Sequence, residues 1–105
     1  MKESKEKTEE EVKKEFLDHI RGVVHYWSKQ EGTPLIDKLN GVAFSILTAL
    51  DGCANLPGFI VAPCPHEDDK EYHISSGDDY YPENHESNVR CDISGSLHDD
   101  FYQKR

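Results

Sequence analysis

The densest run of side chains able to do chemistry is CPHEDDKEYH, residues 64–73. On a helix opening near residue 66, His66, Asp69 and His73 fall at i, i+3 and i+7, along one face. Two imidazoles and a carboxylate form a donor set for a divalent transition metal. Cys64, just ahead of that helix, adds a thiolate and tilts the choice towards zinc. Cys64, His66, Asp69 and His73 are therefore the candidate metal ligands, with zinc or another divalent transition metal as the implied cofactor. The spacing matches no established metal motif, and two turns separate His66 from His73. The plainer reading is an acidic helix N-terminus on which Asp69 pairs with His73.

Two weaker constellations share these residues. Cys53, Cys64, His66 and Cys91 make a second zinc set, but no C-x-x-C pair supports it. Unpaired cysteines acting as small apolar residues are far commoner. Cys64 with His98, or Cys91 with His85, supplies the parts of a nucleophile–base pair. Three cysteines and six histidines produce such pairs by chance. Phosphate-cradling glycine loops and G-x-S-x-G elbows are absent. The leading reading therefore assigns no catalytic residue and no cofactor.

A different kind of site is suggested by GDDYYPE, residues 77–83. Asp78, Asp79, Tyr80, Tyr81 and Glu83 set aromatic rings among carboxylates, the composition of a hot spot for an Arg-rich partner. The charge distribution agrees. The chain carries 12 basic and 21 acidic residues, a net charge of -9. Residues 1–31 hold 7 basic and 8 acidic side chains, whereas residues 51–105 hold 4 and 12. Direct nucleic-acid binding needs clustered Lys and Arg, and anionic membranes need the same, so neither is expected. The charge permits a basic protein partner, or a surface that imitates nucleic acid. The plainer reading assigns the charge to solubility. It assigns Tyr80, Tyr81, Trp27, Tyr72, Phe101 and Tyr102 to a small secondary core over the helices.

These residues must be held by a small scaffold. One domain accounts for 105 residues, and an apolar share of 35% leaves little for a core. Residues 1–8 are expected to be a flexible lead-in and residues 9–105 a single domain. Thr8 and Glu11 have the spacing of a capping box. Val12, Phe16, Ile20, Val23, Val24 and Trp27 then recur at helical intervals, predicting a helix over 9–30. Gly22 lies inside it and costs up to ~1 kcal/mol unless close packing requires it. Thr33 and Pro34 open a second helix that is apolar almost all round from Val42 to Leu50, so it should be the buried one. Asp51 and Gly52 stop it. The short link at 31–34 favours an antiparallel hairpin.

Beyond the hairpin, residues 59–62 read as a strand halted by Pro63 and Pro65, and residues 66–76 as a short helix ended by Gly77. Residues 89–93 alternate and are expected to pair with 59–62. Ser94 or Ser96 caps a last short helix bearing Leu97 and Phe101. The expected fold class is α+β: an antiparallel helical hairpin packed on a short two-stranded antiparallel β element with one or two short extra helices. The first 11 residues lack the apolar stretch of a secretory signal, and no run approaches the ~18 apolar residues of a bilayer span. A cytoplasmic location with reduced thiols is the expectation.

LNGVAFSILTALDG (39–52), LPGFIVAPCPHEDDKEYH (56–73), YYP (80–82) and DISGSLHDDFY (92–102) are together similar to small uncharacterised proteins of bacteria, phages and prophages. The resemblance covers residues 12–102. It implies a phage or mobile-element context and an accessory or host-interaction role, and it supplies no functional residues. Three functions follow as expectations. The first is a non-catalytic acidic interaction protein, acting on a basic protein surface as an inhibitor or accessory. The second is a metal-binding module or metal-dependent enzyme centred on the 64–73 cluster. The third is a helical homo-oligomer joined through the first helix.

Overall fold

A computed structural model describes residues 4–84 and 88–102. Four helices form: α1 (Glu9–Ser28), α2 (Leu35–Leu50), α3 (Asp69–Ser75) and α4 (Leu97–Phe101). None is long and apolar enough to cross a membrane. Of the expected lead-in, residues 1–3 lie outside the described residues. Residues 4–8 have no regular structure, and Lys5 and Lys7 reach forward to Glu11 and Glu15.

Local chemistry places the helix ends. The Thr8 hydroxyl accepts the Glu11 amide at 3.2 Å, and the Glu11 carboxylate accepts the Thr8 amide at 3.0 Å, closing the capping box. α2 begins without a side-chain cap, the Pro34 carbonyl accepting the amides of Asp37 and Lys38. It ends in a Schellman motif: the Cys53 amide reaches the Thr48 carbonyl and the Gly52 amide the Ala49 carbonyl. Gly52 supplies the left-handed turn at φ 81°. A Cβ there would also lie 2.9 Å from the Gly58 Cα, because the chain folds straight back so that the Phe59 amide meets the Leu50 carbonyl.

α1 and α2 run antiparallel. Trp27 near the end of α1 meets Gly41 near the start of α2, while Val12 and Phe16 share a cleft with Leu50. At the crossing, Gly41 is buried and a Cβ built on it would stand 2.5 Å from the indole ring. The indole N–H donates to the Ser45 hydroxyl at 3.1 Å, satisfying the one polar atom of the ring. The Phe16 ring meets Phe59 edge-on at 5.3 Å, which draws residues 59–62 against the hairpin.

The β element of the expected α+β class does not form. Residues 59–62 and 89–93 do run beside each other, and the Ile93 amide donates to the Val61 carbonyl at 2.8 Å. A ladder needs the reciprocal bond. The Val61 amide instead donates to the Asp92 carboxylate at 2.9 Å. Further along, the Asn84 side chain stands in as a surrogate strand. Its carbonyl accepts the amides of Arg90 and Cys91, and its amide donates to the Pro63 carbonyl. Side chains have taken the partners a sheet would use, and the regular structure among the described residues is helical apart from a single bridge residue.

α2 is the central helix as expected, with α1 and α4 both packed on it and residues 41–50 buried or half-buried, but its burial is shallow. Ala49 is the only buried apolar side chain among the described residues. The molecule is broad and thin, 52 × 47 × 19 Å. Its radius of gyration is 18.0 Å, where a compact chain of this length has roughly 13 Å. The exposed apolar residues of α2 gather in its first turns, at Leu35, Ile36 and Leu39.

The two helical glycines should respond oppositely to alanine. Gly22 has open space around its Cα, so Gly22→Ala raises stability by about 0.5–1 kcal/mol through helix propensity. Gly41→Ala must displace Trp27, and overpacking of about 1–3 kcal/mol outweighs the same propensity gain. Urea unfolding of the two variants checks both signs.

Candidate functional site

Two locations carry more than packing. The first is the junction between the hairpin and the back half, built on Asp51. This residue caps the C-terminus of α2, and its side chain is fully withdrawn from solvent. The carboxylate accepts the Gly95 amide at 2.6 Å, the His98 amide at 2.8 Å and the His98 ring Nδ1–H. It thereby supplies the side-chain cap that Ser96, the N-cap residue of α4, does not provide. Burial raises the Asp51 pKa. The hydrogen bonds from the His98 backbone and ring, Gly95 and Leu97 outweigh it and bring the group to about 2. His98 is shifted up from 6.5, chiefly by its bond to Asp51 against the opposing effect of burial, with Asp99 adding to the rise. The Phe44 ring lies edge-on to His98 at 5.7 Å and beside Tyr102 at 5.4 Å, so α4 is seated on α2. This is a structural clasp: its carboxylate and imidazole are committed to each other.

The second location surrounds α3. The turn before it is held by side chains: the Asp69 carboxylate accepts the His66 amide at 2.8 Å, and His66 Nδ1 accepts the Asp68 amide at 3.2 Å. Those bonds replace helical ones, so α3 starts at Asp69 and not at 66. Its end is a full Schellman motif, with the Asp78 amide on the His73 carbonyl and the Gly77 amide on the Ile74 carbonyl. Gly77 takes φ 77° to make it. The motif turns the chain sharply and delivers Asp78, Asp79, Tyr80 and Tyr81 alongside His73.

Two open clefts adjoin there. One, of about 400 Å³, is lined by Cys64, Asp69, Tyr72, His73 and Tyr81 together with Pro63 and Pro65. The other, of about 380 Å³, is lined by His73, Asp78, Asp79, Tyr80 and Tyr81. His73 and Tyr81 form the wall between them. The His73 Nδ1 atom is buried and has no hydrogen-bond partner among the described residues. On the far side, the Lys70 ammonium sits 5.2 Å from the centre of the Tyr80 ring and 3.9 Å from the Glu83 carboxylate.

The sequence-derived candidates thus meet in part. Cys64, Asp69 and His73 face one cleft, but His66 does not line it. Among the described residues, the one group whose ligating atoms lie within 4.8 Å of each other is His66, Glu67 and Asp68, all exposed. Neither zinc set converges there. Cys53 and Cys64 are exposed and Cys91 is half-buried, with no disulfide among them. Of the two nucleophile–base pairs, His98 is bound to Asp51, and His85 lies outside the described residues. The aromatic cover expected over the hairpin is partial. Tyr102 packs on Phe44, whereas Tyr72, Tyr80 and Tyr81 remain open. The Asp51–His98 clasp was missed because its partners are 47 positions apart, and the sequence marks Asp51 only as a helix stop.

The clasp gives a pH signature. A carboxylate held below 3.8 stabilises the fold at pH values above that, and the contribution fades as pH falls towards 2. A histidine held above 6.5 stabilises below 6.5, and that contribution is lost as pH rises through its raised value. Junction stability should therefore be greatest between about pH 4 and 6.5. NMR titration of His98 should give a pKa above 6.5 that returns to the ordinary value in Asp51→Asn, with α4 amide protection lost.

The chain matches no protein-family model, no curated protein and no solved structure, so its resemblance to small phage and prophage proteins assigns it to no family.

Proposed function

We propose that this chain is a non-catalytic interaction protein whose acidic back half receives a cationic segment of a partner protein. The observation that carries this reading is the pair of clefts sharing His73 and Tyr81, with Asp78 and Asp79 on the rim and tyrosine faces open to solvent. A guanidinium is planar and weakly hydrated. It stacks on an aromatic face while its N–H groups reach carboxylates. The chain's own Lys70, over Tyr80 and beside Glu83, already makes a contact of that type. It acts as an internal stand-in for a partner's cation.

Electrostatics supports the same direction. The -8 carried by residues 51–105 raises the local concentration of a basic partner and speeds encounter. In the phage or prophage setting that the resemblance implies, the partner is a host protein with a basic surface, such as a nucleic-acid enzyme. The chain would act on it by occupying that surface.

An arginine-rich peptide is a direct probe. Titration calorimetry should show binding that weakens as salt rises. Tyr81→Ala, and separately Asp78→Lys with Asp79→Lys, should each weaken it by about 10-fold or more, the range expected of a hot-spot residue. Binding indifferent to salt and to both variants contradicts the proposal.

A further inference from the structure

α2 presents two distinct faces. At 100° per residue, Gly41 and Ser45 lie on the side that meets Trp27 of α1. Leu35, Leu39, Val42 and Ile46 lie about a third of a turn away, at the alternating four- and three-residue spacing of a helix-packing seam. One end of this second face is a ridge: Leu35, Ile36 and Leu39 are 71%, 62% and 56% exposed. Its other end, at Leu50, opens into a largely apolar cleft of about 520 Å³ walled by Val12, Phe16, Phe59 and Ile60, with Lys7, Glu9 and Lys13 also lining it. A ridge and a hollow of matching chemistry therefore stand on one side of the same helix, roughly 20 Å apart at 1.5 Å per residue.

We infer that the chain pairs with a second copy of itself through this face. α2 lies antiparallel to α2 about a two-fold axis, and the Leu35–Ile36–Leu39 ridge of each copy enters the cleft of the other. A two-fold contact uses one patch twice, which requires a patch complementary to itself when reversed. A ridge and a hollow at opposite ends of one helix meet that requirement.

Charge selects the occupant. Residues 1–50 hold 8 basic and 9 acidic side chains, so this half approaches its own copy without repulsion. Residues 51–105, with 4 and 12, repel their own copy and turn outward. Area agrees. The accessible surface is 8688 Å², about 2,700 Å² more than the roughly 6,000 Å² of a compact monomer of this mass. A stable interface removes about 800 Å² from each partner. The pairing does not depend on the α3 clefts or on what binds them.

Light scattering at about 100 µM, well above the micromolar Kd within reach of such an interface, should give twice 12.0 kDa. Ile36→Lys and Ile60→Glu alter exposed positions on the ridge and the cleft wall, so each should keep its helical circular dichroism and give the monomer mass. Mixing the two variants should restore the dimer. One site in the mixed pair is then native, and the other joins the introduced lysine to the introduced glutamate. A wild-type monomer overturns the inference. So does a dimer that survives both substitutions, or a mixture that stays monomeric.

Discussion

The Asp51 carboxylate is the point through which the two halves of the molecule are fastened. Without it, α4 has five residues and no side-chain cap, too short to persist in water. With it, the amides of Gly95 and His98 and the His98 ring have an anion fully shielded from solvent, and Tyr102 is brought onto Phe44. The same residue ends α2, so one side chain joins the C-terminus of the central helix to the N-terminus of the last. The carboxylate suits the N-terminus of α4, whose amides it accepts, while at the C-terminus of α2 its charge faces the His98 imidazole.

The back half repeats this device. Asp92 gathers the amides of Val61 and Ser94 and the Ser94 hydroxyl, and its pKa falls in consequence. Asn84 spans Pro63, Arg90 and Cys91. Asp69 holds the turn before α3. A segment too poor in apolar residues to build a core is held instead by short polar side chains bonded to backbone. Several of its carboxylates are thus internal connectors. Among the described residues, Asp78 and Asp79 make no such bonds, and they stand at the rim of the α3 clefts.

What could be read from the sequence was local. The Thr8–Glu11 box, the glycine stops at 52 and 77 and the apolar period of α1 depend on neighbours within one turn, and each is found in place. The sheet was misread because alternation at 89–93 reports only that a segment can be extended. Whether its amides meet a strand or a side chain depends on Asn84 and Asp92, whose roles no local pattern reveals. The central place of α2 was legible but its depth of burial was not: an apolar composition shows that a face must be covered, not that this chain covers it, and Leu35, Ile36 and Leu39 stay exposed. The clustering of His73 with Tyr81 was partly legible, since Gly77 marks the turn that brings them together, but the sharing of one wall by two clefts was not.

The chain has a single tryptophan, and it lies where the two long helices cross, stacked on a bare glycine backbone with its ring nitrogen tied to Ser45. Its fluorescence therefore reports on that seam above all else. An emission shift to the red would register opening of the hairpin while the acidic half stayed spectroscopically silent at that wavelength. The molecule carries its own optical gauge, sited at the contact between its two longest elements.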